Sequence, residues 1–187
     1  LKKGVESADA LICLLSDKID ARIMDHGPRL KVIANYAVGY NNIAIEAARQ
    51  RKIMVTHTPG VLTNATAELA FALLIGLTRR IISADRFTRK KQFIGWDPLL
   101  YLGTELSGKQ LAIVGMGRIG QDMAAKCRAF GMSIGYHNRR PLEKSVEDRL
   151  GATYYESLKE LLAVADFISV HAPLTEETRT LFNKDTF

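Results

Sequence analysis

Leu111-Ala112-Ile113-Val114-Gly115-Met116-Gly117-Arg118-Ile119-Gly120 is the stretch from which the rest of the chain can be read. Its four apolar residues have the length and β-branched content of a buried strand. Gly-x-Gly-x-x-Gly follows at once, and a helical pattern opens inside it. In that setting each glycine has a mechanical role: Gly115 for a tight turn, Gly117 for close approach of a pyrophosphate to the backbone, Gly120 for close helix–strand packing. The first amides of the helix have no intrahelical partner, and with the helix dipole they favour an anion. An ordinary glycine-rich βα turn is the alternative. The strand–turn–helix context favours a dinucleotide site.

The flanks extend the pattern. After Gly120, Ile119, Met123, Cys127 and Phe130 fall on one helical face, and Gly131 suits the C-terminal cap. Residues 133–136 read as a strand, 157–165 as a helix and 167–170 as a further strand, ending in His171-Ala172-Pro173-Leu174-Thr175. The sum is a βαβαβ unit, the half of a Rossmann fold that holds one mononucleotide.

Upstream, residues 8–15, 30–34 and 53–56 read as strands, alternating with helices over 20–25 and 43–51. That alternation argues for a parallel sheet covered on both faces. Tyr36 to Asn42 is a loop, and Thr58-Pro59-Gly60 breaks the pattern. Asn64 is placed to cap one long helix running to Gln92, apolar nearly all round in its first half and therefore buried there. This helix reads as the connector between two lobes, residues 1–63 and 64–187.

Bulk properties exclude several classes. Apolar residues make up 47% and charged residues 25%, a globular and not a disordered composition. The longest apolar run, residues 69–77, is too short to span a bilayer. The net charge of +6 is spread. Its densest run, Arg86, Arg89, Lys90 and Lys91, has no interleaved aromatics and sits toward a helix end, where cations suit the dipole. Neither a nucleic-acid nor a membrane partner is expected. Cys13 and Cys127 lie far apart in apolar patterns and read as buried thiols, as in a reducing, cytoplasmic setting. No metal-ligand cluster is expected. The start at Leu1 and the stop at Phe187, inside a helical pattern over 176–187, read as cut ends of a longer protein.

The choice of dinucleotide rests on the end of the strand after the glycine helix. An NAD site carries an acidic residue about 20 positions past the glycines, to hold the ribose 2′-hydroxyl. No Asp or Glu occurs from Met123 to Leu142, and the strand ends His137-Asn138-Arg139-Arg140. Arginine's planar fork suits a 2′-phosphate. The cofactor expected is NADP, with NAD as the alternative if the arginines only begin a basic loop.

Five stretches in order, residues 35–42 (NYAVGYNN), 58–72 (TPGVLTNATAELAFA), 95–106 (GWDPLLYLGTEL), 115–120 and 170–175 (VHAPLT), resemble the D-isomer-specific 2-hydroxyacid dehydrogenases, most closely their glyoxylate and hydroxypyruvate reductase branch. The resemblance implies an α/β architecture: a partial Rossmann-type domain and a smaller, partial flavodoxin-like substrate domain, joined by a long helix. It implies hydride transfer from NAD(P)H to a small 2-oxo acid, giving a D-2-hydroxy acid. It gives Val38 and Gly39 the substrate carboxylate, through backbone amides, and places Thr66 near the nicotinamide. Gly115, Met116, Gly117, Arg118, Ile119 and Gly120 hold the pyrophosphate. Asn138, Arg139 and Arg140 face the adenosine ribose, while Pro173 and Thr178 line the cofactor cleft after the third Rossmann strand. The family's catalytic arginine, carboxylate and histidine fall downstream of VHAPLT, so no catalytic residue is expected within 1–187. His171 belongs to that motif and His57 has no carboxylate near it in sequence; both read as structural. The family usually forms dimers through the connector and the residue 95–106 arm, where Trp96 and Tyr101 would lie unless they pack on their own subunit. A nucleotide-responsive corepressor module of the same fold is the alternative function.

Overall fold

The computed structural model describes residues 2–184 and 186. It forms two compact units, Leu1–Val61 with Pro173–Leu181, and Leu62–Ala172 with Phe182–Phe187.

The first unit runs α1 (Lys2–Val5), β1 (Ala10–Cys13), α2 (Ala21–Asp25), β2 (Val32–Asn35), α3 (Ile45–Gln50) and β3 (Met54–Thr56). The three strands are parallel in the order β1-β2-β3, with Cys13 opposite Asn35 and Ala34 opposite Thr56. Asp20 caps α2 by accepting from the Ile23 amide at 3.1 Å. Val5, Met24 and Ala48 from the three helices share one cluster with Cys13 and Ile33. The expected cover on both faces is not what the described residues form. Sequential strands joined by crossovers of one hand put α2 and α3 on the same face. The other face leaves Ile12 79% and Met54 65% exposed.

The second unit runs α4 (Thr63–Thr78), α5 (Ile81–Arg89), β4 (Gln110–Val114), α6 (Arg118–Ala129), β5 (Ser133–His137), α7 (Lys144–Leu150), β6 (Ala152–Tyr154), α8 (Leu158–Val164) and β7 (Phe167–Val170). Its parallel sheet has the order β6-β5-β4-β7. The chain winds outward from β4 to β6, then returns to the other side of β4, which makes the β4/β7 boundary a topological switch point. The unit is α/β with a Rossmann-like sheet, and Phe167–Val170 is its fourth strand, not its third. The three residues of the edge strand β6 and the seven of α7 carry too little periodicity to be read from the sequence. Leu111, Ile113, Met123, Cys127, Tyr136 and Leu161 are fully buried in and around this sheet. Each apolar side chain of that size contributes about 1.5–3 kcal/mol, several times a surface i,i+4 pair such as Lys126–Asp122 at about 0.3–0.5 kcal/mol.

The expected single helix from Asn64 to Gln92 is two helices, α4 and α5. The Thr78 carbonyl accepts from the distant Thr104 amide at 2.9 Å, and Arg80 takes a left-handed conformation (φ 54°). Leu62, without a side-chain bond, occupies the N-cap position of α4. Asn64 instead bonds Glu68 at 2.7 Å and accepts from Lys126 at 2.8 Å. Nor is α4, the first half of that expected helix, buried all round. Ala67 is buried, whereas Leu69, Leu73 and Leu77 are 62%, 66% and 73% exposed. Tyr101 packs within its own unit, 5.2 Å from the Phe87 ring and under the Arg80 guanidinium, while Trp96 is 85% exposed. The helix expected over 176–187 is absent among the described residues of that span, which form turns; Asp185 and Phe187 lie outside them.

Candidate functional site

The glycine loop has the geometry its spacing implies. Gly115 sits at φ 96°, and a Cβ there would lie 2.5 Å from the Ala172 nitrogen at the exit of β7. At Gly120 a Cβ would lie 2.5 Å from the Gly115 carbonyl oxygen and 3.2 Å from Ile113. These two glycines are therefore fixed by backbone packing. Gly117 is different, because nothing lies within 4 Å of its Cβ position. It occupies the N-cap position of α6 with extended backbone and no side-chain cap. An open, uncapped helix start at the switch point fits a pyrophosphate, with free amides and a favourable dipole facing it. Arg118 is exposed at this end, Ile119 packs against the core, and Met116 is buried.

Met116 joins this loop to the end of β5. Its amide donates to Asn138 Oδ1 at 2.7 Å, and the Gly115 amide donates to the His137 carbonyl at 3.1 Å. Two tyrosines then hold the turn that carries Arg139 and Arg140. Tyr154 donates to the Asn138 carbonyl at 3.2 Å. Tyr136 accepts from the Leu142 amide and donates to Glu147, both at 2.7 Å. Burial is the largest influence on the Tyr136 phenol and pushes its pKa up to about 12, so it stays protonated as a donor. Arg139 and Arg140 are exposed on this turn. Neither Tyr136 nor Tyr154 stands out in the sequence. The available signal was a pair of tyrosines in neighbouring strands, and only the register of β5 with β6, Tyr136 opposite Tyr154, brings them together.

After β7, the Thr178 hydroxyl donates to the Pro173 carbonyl at 2.6 Å and accepts from the Thr175 amide at 2.8 Å. This closes residues 173–178 into a turn of the first unit and accounts for the missing helix. Thr66 lies half-buried in the first turn of α4, its amide bonded to the Leu62 carbonyl at 3.0 Å. His171 Nε2 is 2.8 Å from Ser169 Oγ, and burial lowers its pKa, favouring neutral imidazole. Cys13 and Cys127 are buried free thiols, Cys127 pushed up to about 12 by burial.

The Val38–Gly39 loop is built by its carbonyls. The Ala37 carbonyl accepts from the Thr58 amide at 3.0 Å, that of Val38 faces His57 Nδ1 at 2.9 Å, and that of Gly39 accepts from Asn35 Nδ2 at 2.7 Å. Asn35 is only 2% exposed and also exchanges bonds with the Asn42 side chain at 3.2 Å. Asn42 in turn donates to the Leu14 and Asp17 carbonyls, each at 3.0 Å. Among the described residues the amides of Val38, Gly39 and Tyr40 donate to no protein acceptor. In the sequence Asn35 and Asn42 stand only as parts of a motif. A polar amide closing the apolar run Val32-Ile33-Ala34 was the signal that it had a buried partner.

Among the described residues no group of His, Cys, Asp and Glu could hold a metal ion. None of their helices is long and apolar enough to cross a membrane.

Comparison with known proteins identifies relatives of the chain. The family model of the D-isomer specific 2-hydroxyacid dehydrogenase NAD binding domain matches residues 71–187. A glyoxylate reductase of Thermococcus litoralis is 51% identical over 182 residues, covering 95% of this chain and 54% of its own length. The TT0316 protein of Thermus thermophilus superposes with a TM-score of 0.91 at 47% identity, over 99% of this chain and 57% of that one. A D-lactate dehydrogenase of Aquifex aeolicus, solved with NAD and lactic acid, gives a TM-score of 0.91 at 30% identity, over 100% of this chain and 54% of that one. The chain spans about half the length of the curated relatives it matches.

Proposed function

This chain belongs to the D-isomer-specific 2-hydroxyacid dehydrogenase family, and we propose on that premise that the full-length protein reduces a small 2-oxo acid, of the glyoxylate or hydroxypyruvate kind, to the D-2-hydroxy acid. The observation that carries the cofactor half of this reading is the open start of α6 at Gly117, beside two glycines that backbone packing fixes. A nicotinamide dinucleotide bound there supplies the hydride that reaches the carbonyl carbon. The residues of the second unit proposed to hold it are Thr66, the loop from Gly115 to Gly120, Asn138, Arg139 and Arg140. Val38 and Gly39 are proposed to take the substrate carboxylate on their unpartnered amides, in the manner of an anion nest. Arg139 and Arg140, with no carboxylate at the end of β5, support NADPH as the preferred donor.

On this reading residues 1–187 contain a cofactor platform and a carboxylate seat but no proton donor for the alkoxide oxygen. The full-length protein is expected to oxidise NADPH on addition of glyoxylate or hydroxypyruvate. Residues 1–187 alone are expected to bind NADPH, read by its fluorescence, and to give no turnover at 340 nm. Turnover by that piece would show that the proton donor lies within it.

We also propose a homodimer. Leu69, Leu73 and Leu77 recur every four residues on the exposed side of α4, and Ile94 and Trp96 are 99% and 85% exposed in the arm that follows α5. An apolar stripe of this kind is unfavourable in water and favours a partner surface of equal character. Leu73→Glu would bury a carboxylate in that interface. Sedimentation is expected to show a dimer for the unaltered protein and a monomer for Leu73→Glu. A monomer in both cases removes this part of the proposal.

A further inference from the structure

The loop proposed to seat the substrate carboxylate owes its shape to two side chains outside the seat. In a trans peptide the C=O and the following N–H point in opposite directions, and the described residues contain no cis peptide. Three consecutive carbonyls of this loop are anchored: Ala37 by the Thr58 amide, Val38 by His57 Nδ1, and Gly39 by Asn35 Nδ2. The amides that follow them, those of Val38, Gly39 and Tyr40, therefore point away from the anchors. They are the same three that donate to no acceptor among the described residues. Consecutive unpartnered amides are suited to an anion. Unanchored, a glycine-containing loop would sample other orientations and lose that arrangement.

We propose that His57 and Asn35 are positioning residues for the reaction: by holding the Val38 and Gly39 carbonyls, they preset the amides that receive the carboxylate of the 2-oxo acid. The proposal rests on the reading that this loop is the carboxylate seat. Its physical content is preorganisation: the loop is set before substrate arrives, so binding does not have to order it. The His57 bond needs the proton on Nδ1, and the Tyr40 and His57 rings pack nearly perpendicular, their centroids 5.3 Å apart at 77°, which restrains the plane of the imidazole. Asn35 is held from its other side by Asn42, and its Oδ1 also accepts from the Cys13 thiol at 3.3 Å. Neither residue need touch substrate.

The test is steady-state kinetics of the full-length protein with glyoxylate and NADPH, together with thermal melts. His57→Phe keeps a ring against Tyr40 and removes the donor. Loss of one such hydrogen bond is expected to raise the KM for glyoxylate about 2- to 12-fold. The KM for NADPH and the melting temperature should not move, since His57 is exposed. His57→Asn restores an amide donor near the Nδ1 position and should restore the substrate KM, which a merely structural role would not produce. Asn35→Asp, which loses the donor to Gly39, should show the same substrate effect together with a lower melting temperature. Gly39→Pro deletes one of the seat's own amides and reports on the seat independently. If Gly39→Pro raises the glyoxylate KM and His57→Phe and Asn35→Asp leave it unchanged, the positioning role is wrong and the seat stands. If none of the three changes it, the seat itself is misassigned and the inference falls with it. A matched rise in both substrate and cofactor KM for His57→Phe would also overturn the proposal, since it would mark a general loss of structure.

Discussion

Gly115→Ala is expected to destabilise the second unit by about 2–6 kcal/mol, the sum of about 1–3 for a disfavoured backbone and about 1–3 for overpacking. Gly115 sits at φ 96°, where L side chains are strained, and its Cβ would fall 2.5–2.8 Å from the backbone atoms of His171 and Ala172. Backbone leaving β7, which is paired to β4 along its length, cannot yield as a flexible side chain can. Against a typical domain stability of about 5–15 kcal/mol this is a large fraction, and the melting transition should drop by about 5–20 °C. Gly117→Ala is the matched control. It has a negative φ and open space at its Cβ, so it should cost less than about 1 kcal/mol. It should nevertheless weaken NADPH binding, because the methyl occupies the face proposed for the pyrophosphate. Calorimetry and cofactor titration of both variants separate a glycine needed for folding from one needed for binding. Equal melting temperatures for the two variants would contradict the packing described here.

Arg139→Ala is expected to weaken NADPH binding about 10- to 150-fold, the equivalent of about 1.5–3 kcal/mol for a hydrogen bond to a charged group, with NADH affinity nearly unchanged. The selectivity follows from the charge it addresses. The 2′-phosphate is the only group that distinguishes the two cofactors, and an exposed guanidinium beside it contributes nothing comparable to a neutral ribose. Because the pair would be solvent-exposed, salt should reduce the difference, and titrations at low and high ionic strength are part of the measurement. Arg140→Ala measured alongside shows how the two arginines share the role. Indistinguishable dissociation constants for NADPH and NADH in the unaltered protein would remove the basis for an NADP preference.

Much of the second unit was legible because its determinants are close together in sequence. The strand 110–114, the glycine loop and the amphipathic face of α6 are specified within 20 residues, and each glycine's role follows from its spacing. Features decided at long range were not legible. The connector breaks at Arg79 and Arg80 where the Thr104 amide, 26 residues from Thr78, takes the carbonyl that would have continued the helix. The three-residue strand β6 is defined by pairing with β5 more than by its own pattern. In the first unit the alternation of strands with helices indicated a parallel sheet covered on both faces, but could not show that both crossover helices would lie on one of them.

The fold class and the dinucleotide-type loop were legible in the sequence alone, because they depend on local spacing: short apolar runs alternating with segments of 3.6-residue period, and glycines at fixed intervals. The family was legible through the resemblance of five motifs in order. The tertiary structure decided which polar groups are already engaged. Asn138 is tied to the Met116 amide, Thr178 to its own turn, and the carbonyls of Val38 and Gly39 to His57 and Asn35. The residues were all visible in the sequence. Their partners were not, because a hydrogen bond depends on direction over about 3 Å, and only the assembled strands and loops fix that direction.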